Sequence, residues 1–279
     1  MDKIALVLEG GALRGIFTAG VVDCFLDNNI EFDYVVGVSA GSCNALAYIG
    51  KKKEFVKDCM TLANPKEKFF GIRQMATSHR LFDLDKLYHN YAEKFNFDFD
   101  VFMNSQIKWE FVTTNIQTGK PEYMSSNDLE KVKLIGKASC SLPLVTKPVE
   151  IDDNLYLDGG IADSIPLKHA LDLGYKKVVV VATRKKGSYS KTGESQRPLY
   201  NKIYKDYPHF IDTAFKRTRM YRRQVDLCEK LEQTGDVILI RPTFLEVSRL
   251  ESNIDELNLA YYHGYLKAEE YIEQIKKWK

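Results

Sequence analysis

Short apolar runs alternate with helical patterns along this chain, and this alternation limits the possible folds more than any other feature. The apolar runs lie at residues 4–8, 33–38, 107–116, 155–157, 177–183 (which contains VVVV) and 236–241. Such runs are typical of strands buried in a parallel sheet. Helical periodicity fills gaps at 16–26, 40–49, 128–138, 167–173, 207–233 and 255–277. The pattern predicts an α/β fold, a three-layer α/β/α sandwich with a mostly parallel central sheet.

Two stretches interrupt the alternation. Residues 64–106 are rich in aromatic side chains and carry little strand signal, so we expect a helical insertion there. Residues 184–202 are polar and basic and contain Gly, Ser and Pro, which predicts a surface loop. We therefore expect a core domain over 1–183. Residues 184–279 should pack on the same domain, with one strand at 236–241 and two long helices.

The bulk numbers exclude several classes of protein. Lys and Arg number 40 against 38 Asp and Glu in 279 residues, a balance that gives no reason to expect nucleic acid as a partner. Five cysteines without a C-x-x-C pair argue against a disulfide framework and a zinc ribbon. The first residues lack the long apolar region and cleavage site of a signal peptide, and no run approaches a membrane span. We expect a cytoplasmic protein.

The sequence Gly37-Val38-Ser39-Ala40-Gly41 is a G-x-S-x-G motif between a predicted strand and a predicted helix. A nucleophile elbow needs this setting, because the serine sits on a strained strand-to-helix turn whose neighbours must be small. The helix N-terminus then directs backbone N–H groups at a developing oxyanion. The alternative is a tight turn in which Ser39 merely caps a helix. The strand-turn-helix context favours a nucleophile.

A glycine-rich loop, EGGALRG at residues 9–15, follows the first predicted strand. Its backbone N–H groups could form an oxyanion hole for acyl transfer or cradle a dinucleotide pyrophosphate. The dinucleotide fingerprint requires glycine at position 12, where Ala12 stands, although Glu31 and Asp33 lie near the distance expected for a ribose-binding acid. The loop could also be a turn that packs helix on strand.

Asp158-Gly159-Gly160 follows the short strand at 155–157 and predicts a sharp turn with an available carboxylate. A serine nucleophile needs a base, and histidine is the usual one. His169, His209 or His263 could complete a Ser-His-Asp triad, but each lies in or near a predicted helix rather than in a strand-end loop. The alternative is that Asp158 accepts the serine proton directly, which requires a partly desolvated carboxylate close to Ser39.

Four segments in order resemble the patatin-like phospholipase family. They are Gly10–Gly15 (GGALRG), Gly37–Gly41, Ala138–Pro143 (ASCSLP) and Asp158–Gly160, and the resemblance extends over roughly residues 1–183. It implies a patatin-like catalytic core that hydrolyses lipid acyl esters without a metal ion or cofactor. The activity would be of the phospholipase A, lysophospholipase or carboxylesterase type.

The resemblance also implies roles for individual residues. Ser39 matches the nucleophile and Asp158 the base, and the backbone N–H groups of Gly10, Gly11 and Ala12 match the oxyanion hole. Arg14 occupies the basic position of the loop and would steady it or favour anionic substrates. The remaining motif glycines are Gly15, Gly37, Gly41, Gly159 and Gly160. Ala12 departs from the pattern, since a third glycine is usual, and a positive φ there would cost it about 1 kcal/mol of strain.

Two basic segments, at 216–223 and 276–279, contain aromatic residues as well and could contact an anionic membrane surface. The alternative is a solvated helix face, which the acidic residues that follow favour. Cys140 beside the predicted site is interpreted as a small buried residue rather than a second nucleophile. A different class of function also stays open, a lipid- or nucleotide-binding regulator that Ala12 has deprived of turnover. The sequence does not predict an oligomeric state.

Overall fold

A computed structural model describes residues 3–62, 90–189 and 193–279. Eight strands form one sheet in the order β5-β6-β3-β2-β1-β7-β8, with β4 paired to β3. They are β1 (Ile4–Leu8), β2 (Tyr34–Val38), β3 (Lys108–Asn115), β4 (Pro121–Met124), β5 (Val149–Ile151), β6 (Asn154–Asp158), β7 (Lys177–Val181) and β8 (Val237–Ile240). Neighbouring strands along β3-β2-β1-β7-β8 are parallel. Strands β4 and β6 pair antiparallel with β3, and β5 pairs antiparallel with β6.

Alternate residues of the central strands point to opposite faces of the sheet, as the strand period of two requires. In β1, Leu6 packs into one core with helices from the first sixty residues. Its neighbours Ala5 and Val7 pack into a second core on the other face. Both faces are therefore covered, and the predicted three-layer α/β/α fold with a mostly parallel sheet is confirmed.

The helices form the two outer layers. They are α1 (Gly15–Asp27), α2 (Ala40–Ile49), α3 (Phe55–Met60), α4 (Ala92–Lys94), α5 (Phe99–Met103), α6 (Leu129–Ser139), α7 (Leu167–Asp172), α8 (Arg197–Ile203), α9 (Pro208–Gln233), α10 (Ile254–Glu269) and α11 (Ile272–Lys276). Helices α1, α2, α3, α6 and α10 share the first core. Helices α7 and α9 cover the second.

Helices α1 and α10 pack unusually closely, although they come from opposite ends of the chain. A Cβ atom added to Gly20 would lie 1.9 Å from the Tyr261 carbonyl oxygen, and one added to Gly264 would lie 2.0 Å from that of Phe17. Only glycine allows the two backbones to approach this far. Tyr261 also donates a 2.7 Å hydrogen bond to Asp23 of α1. Helix α10 is thus packed directly against the first helix of the chain.

Some local predictions need correction. Strands β4 and β5 were not predicted, because they are short and β4 is half-buried along its whole length. The predicted loop at 184–202 contains all of α8 except its last residue, Ile203, and this helix is stabilised by proline in its first turn and by burial of Tyr200. Of the predicted insertion at 64–106, residues 64–89 lie outside the described residues, and α4 and α5 occupy part of the rest.

Two further features concern the chain as a whole. Strand β8 pairs with β7, so the C-terminal part adds a strand to the central sheet, and the predicted boundary at residue 183 stays a prediction. None of the helices in the described ranges has both the length and the apolar composition needed to cross a membrane.

Candidate active site

Ser39 lies in a strained turn between β2 and α2, with φ of 54° and ψ of −123°. Positive φ is rare for a residue with a side chain and costs about 1–3 kcal/mol where it persists. Both flanking glycines are required by close backbone contacts. A Cβ atom at Gly37 would lie 2.5 Å from the Gly41 carbonyl oxygen, and one at Gly41 would lie 2.3 Å from that of Leu8. Ser39 therefore stands on a strained strand-to-helix turn between two closely packed glycines, the setting that a nucleophile elbow requires.

Asp158 ends β6 beside the point where β2 ends at Val38, the residue before Ser39. Val38 pairs with Val112 of β3, and Asp158 pairs with the next residue, Thr113. The two strand ends consequently bring the Ser39 and Asp158 side chains together, close enough for the Ser39 hydroxyl to lower the pKa of Asp158. The sheet thus joins two side chains that are far apart in the sequence.

The Asp158 carboxylate is held in a dry environment. The residue is 2% exposed, and its Oδ1 accepts a 2.8 Å hydrogen bond from the backbone N–H of Gly160. Burial raises the pKa of Asp158 above its usual range, while the hydrogen bond from Ser39 and the charge of Arg217 oppose that rise. The result is a carboxyl group of more than ordinary basicity in contact with a serine hydroxyl.

The glycine-rich loop lies directly against Ser39. A Cβ atom on Gly10 would approach the Ser39 Cβ to 2.9 Å, and one on Gly11 would approach Thr183 Oγ1 to 2.6 Å. Within the described part of the chain, no hydrogen bond occupies the backbone N–H groups of Gly10 and Gly11. These donors are therefore available beside the Ser39 hydroxyl. Ala12 has φ of 52°, the positive value that strains a residue with a side chain.

Arg14 stabilises this loop from behind rather than lining the pocket. Its Nε donates a 3.0 Å hydrogen bond to the Val247 carbonyl oxygen, and its guanidinium forms a 3.4 Å ion pair with Glu246. The backbone N–H of Leu13 donates to the Arg249 carbonyl oxygen at 3.4 Å. The loop between β8 and α10 is thereby joined to the glycine-rich loop.

The Ala138–Pro143 block holds both parts of the site. The Ser39 backbone N–H donates a 3.0 Å hydrogen bond to Ser139 Oγ, and the Asp158 backbone N–H donates a 2.7 Å bond to the Ser141 carbonyl oxygen. Sequence reasoning did not assign this role to Ser139. Two more glycines allow close packing around the site. A Cβ atom on Gly15 would lie 2.7 Å from the Ala40 Cβ, and one on Gly159 would lie 2.1 Å from the Val112 carbonyl oxygen.

The three histidines considered for a triad all lie away from the Ser39 pocket. His169 bonds Glu110 at 2.6 Å and stacks on Tyr123. His263 is buried between Phe17 and Phe244 and bonds Thr243, and burial lowers its pKa. His209 is exposed near the start of α9. None of these three histidines lines the pocket at Ser39.

The acids considered for a dinucleotide site also lie elsewhere. Asp33 precedes β2 and accepts a 2.8 Å hydrogen bond from the Ile4 backbone N–H, at the start of β1. The glycine-rich loop follows the opposite end of β1, so Asp33 cannot reach a ligand bound there. Glu31 is exposed and faces Lys51 at 3.9 Å.

A pocket opens over Ser39 and Asp158 and is walled largely by small and apolar side chains. That wall is formed by the loop at residues 10–12 and by the side chains of Ala40, Cys43, Val56, Cys59, Met60, Cys140 and Leu142. The Cys140 thiol lies 3.9 Å from that of Cys43, and this contact together with burial raises its pKa, consistent with a buried, unreactive residue. Two cations that sequence reasoning did not assign to the site, Arg217 and Arg249, line the same pocket.

Two family models match the chain. One, described as Patatin-like phospholipase, matches residues 6–171, and the other, a domain of unknown function (DUF6363), matches residues 207–279. Among solved structures, VipD from Legionella pneumophila matches with a TM-score of 0.53 at 13% identity, over 98% of this chain and 67% of that chain. At that identity the match shows the fold alone.

Two curated relatives are similar over much of the chain. The uncharacterized protein YjjU of Escherichia coli (strain K12) is 30% identical over 78% of this chain and 67% of its own length. Lysophospholipase nte1 of Emericella nidulans is 28% identical over 98% of this chain, which spans 18% of that protein. This chain is thus similar to one part of a much longer lysophospholipase.

Proposed function

The chain belongs to the patatin-like phospholipase family, and from that premise we propose that it is a serine acyl-ester hydrolase acting on lipids through Ser39 and Asp158. The observation that carries the proposal is the position of these two side chains at adjacent strand ends, where both line one pocket. Lysophospholipase nte1, named for hydrolysis of lysophospholipids, supports an acyl ester of a lipid as the substrate class.

In the proposed acylation step, the Ser39 hydroxyl oxygen attacks the ester carbonyl carbon while Asp158 accepts the hydroxyl proton. The carbonyl oxygen becomes an oxyanion, which the backbone N–H groups of Gly10, Gly11 and Ala12 stabilise. Fixed donors of this kind contribute about 100–1,000-fold each to the rate. When the tetrahedral intermediate collapses, the proton on Asp158 passes to the departing alcohol and the acyl group remains on Ser39.

Deacylation repeats the same proton transfers with water as the nucleophile. Asp158 takes a proton from water, the resulting hydroxide attacks the acyl-enzyme carbonyl, and the proton returns to Ser39 as the fatty acid leaves. The apolar wall of the pocket, including Val56, Met60 and Leu142, suits the acyl chain.

Asp158 can serve as the base because of where it lies. An ordinary aspartate, with a pKa of about 3.9, is a weak base at neutral pH. Burial raises the pKa of Asp158, so its carboxylate binds a proton more readily during the attack. Its backbone is fixed by Ser141 and its Oδ1 by Gly160, which aim the carboxylate without a third side chain.

The test is a hydrolysis screen over acyl esters and phospholipids with Ser39→Ala and Asp158→Asn. We expect each variant to lose at least about 10⁴-fold in kcat. Ser195→Ala and Asp206→Asn, at exposed surface positions, are matched controls that should retain wild-type rates. Wild-type rates in either site variant would contradict the mechanism.

A second candidate is a regulator that binds lipid without turnover. It would be supported if the wild-type protein bound lipid but hydrolysed every ester no faster than Ser39→Ala does. The observation that favours this second candidate is the strained backbone of Ala12, with φ of 52° in the loop that would bind the oxyanion.

A further inference from the structure

Helix α9 places one cation on its buried face. The residues on this face recur every three or four positions: Phe210, Ala214, Arg217, Tyr221, Val225 and Cys228. All of them except Arg217 are apolar or aromatic and buried. A charged residue in the core-facing stripe of a helix is uncommon unless it is paired or functional. Arg217 lies where this stripe passes the pocket above Ser39.

A second cation reaches the pocket from the loop between β8 and α10. Arg249 lines it beside Arg217, and the loop that carries Arg249 is fixed to the glycine-rich loop through Leu13 and Arg14. Both arginines fall in residues 207–279, the segment matched by the domain of unknown function. The two guanidinium groups therefore come from one part of the chain and the nucleophile from another.

The pocket has more cationic than anionic side chains around it. Burial, together with repulsion from Arg217, Arg184 and Arg14, lowers the pKa of Arg249 to about 10, so it stays charged at neutral pH. Glu246 is already paired with Arg14. The buried Glu9 faces Arg184 and Arg249, and Asp158 faces Arg217 and Arg249. Burial raises the pKa of both carboxyl groups. A bound anion would relieve the repulsion among these cations.

The donors of these two guanidinium groups are also unused. Within residues 3–62, 90–189 and 193–279, neither Arg217 nor Arg249 donates a side-chain hydrogen bond, whereas Arg14 bonds Val247 and Glu246. A guanidinium carries five N–H donors suited to the oxygens of phosphate. Two such groups on one pocket wall form a binding site for an anion of that shape.

Building on the proposed function, we propose that Arg217 and Arg249 form an anion subsite that binds the phosphate of a glycerophospholipid while Ser39 attacks its acyl ester. The subsite makes the C-terminal segment the part of the chain that selects the substrate. In a lysophospholipid the phosphate and the ester are joined through one glycerol unit, so both can lie within this one pocket.

The experiment compares the full-length protein with Arg249→Gln and Arg217→Gln. The substrates are a 1-acyl lysophospholipid and the 1-monoacylglycerol of the same chain, both in micelles of one neutral detergent. The readout is the ratio of kcat/KM for the two lipids. We expect wild type to favour the lysophospholipid and each variant to reduce the ratio about 10- to 100-fold, as loss of a charge-assisted hydrogen bond does.

Three comparisons separate the subsite from other roles. Arg197→Gln, at a half-buried arginine that is paired with Glu194 and stacked on Phe215 outside the pocket lining, should leave the ratio unchanged. Equal losses on both lipids would overturn the subsite, since they would mean that the arginines only position Asp158 or stabilise the fold. An acyl thioester of coenzyme A carries phosphates much farther from the acyl carbon. If the arginine variants lost kcat/KM on the coenzyme A thioester but not on the lysophospholipid, the proposed phosphate subsite would also be overturned.

A binding measurement keeps the subsite distinct from the proposed hydrolysis. In the Ser39→Ala background, the affinity for the lysophospholipid should fall about 10-fold or more when Arg249→Gln is added, with a smaller change for the monoacylglycerol. Selective binding in a protein whose wild type hydrolyses neither lipid would support the subsite and refute the hydrolase. Hydrolysis of both lipids with no selectivity in rate or binding would support the hydrolase and refute the subsite.

Discussion

Residues 6–171 and 207–279 contribute to the same pocket in different ways. The first region builds its part from the backbone: strand ends bring Ser39 and Asp158 together, and glycines let the loop at residues 10–12 approach them. The second region contributes long side chains, Arg217 from a helix and Arg249 from a loop. Under our proposal, the short motifs of the first region determine the chemistry of the site. Its selectivity depends on which side of a helix faces the pocket and on how a loop packs in the second region.

The largest expected effect tests whether the two regions depend on each other to fold. In Gly264→Ala, the added Cβ would lie 2.0 Å from the Phe17 carbonyl oxygen, so α1 and α10 would have to separate. We expect the free energy of unfolding to fall by more than about 4 kcal/mol, beyond the usual range for one substitution. Denaturant unfolding measures it.

The matched control is Leu266→Ala, on the exposed side of the same helix. Its effect should be within about 0.5 kcal/mol, as for most surface positions. If Gly264→Ala were equally mild, the two regions would be less tightly coupled than their packing implies.

The next effect isolates the backbone contribution of the first region. In Gly10→Ala, the new methyl group would lie 2.9 Å from both Ser39 Cβ and the Val38 carbonyl oxygen. The loop must move, so its N–H groups would no longer meet the oxyanion, and we expect kcat to fall about 100- to 1,000-fold. Steady-state hydrolysis measures it. Gly193→Ala, whose Cβ atom would lie 3.1 Å from the Ser195 hydroxyl, should leave kcat unchanged, and a similar loss there would make the Gly10 result uninformative about the loop.

A moderate effect is expected in the dependence of kcat/KM on pH, because Arg217 of the second region influences Asp158 of the first. Asp158 must be ionised to act as a base, so kcat/KM should fall as the pH drops through its raised pKa, at a higher pH than for an ordinary aspartate. The charge of Arg217 lowers that pKa. Arg217→Gln should therefore move the acidic limb to still higher pH, and a shift to lower pH would contradict the contact between the two regions.

The same raised pKa has a consequence for stability. Below the unfolded-state pKa of Asp158 the carboxyl group is neutral in both states. As the pH rises through the folded-state pKa, ionising the buried group costs stability. Asp158→Asn should therefore melt at a higher temperature than wild type at neutral pH, although it loses activity. Calorimetry at pH 7 measures this, and a lower melting temperature would contradict the direction of the pKa change.

The smallest effect concerns Ala12. Its φ of 52° strains the alanine, and glycine would relieve about 1 kcal/mol or less, because glycine also gains freedom in the unfolded chain. Ala12→Gly should raise the melting temperature by about 2–4 °C. Ala162→Gly, at an ordinary φ of −97°, should instead lower it. A lower melting temperature in both variants would show that Ala12 is not strained.

The sequence predicted the central strands and the setting of Ser39 well, because buried parallel strands appear as apolar runs and G-x-S-x-G stands between two recognisable elements. It missed β4 and β5, whose short length leaves too few residues to establish a pattern. It also assigned residues 216–223 to a surface, although Arg217 lies on the buried stripe of α9. The spacing of that stripe was visible in the sequence and could have identified Arg217. No sequence spacing places Arg249, because its position depends on a loop fixed by tertiary hydrogen bonds.

The central claim is that Ser39 is activated by Asp158 and not by a histidine. The direct measurement is the rate of labelling by a fluorophosphonate, with the modified residue identified by mass spectrometry. The account predicts an adduct on Ser39, much slower labelling of Asp158→Asn, and wild-type rates for Asn substitutions of His169 and His209. An adduct on another residue, or labelling that persists in Asp158→Asn but is lost in a histidine variant, would contradict it.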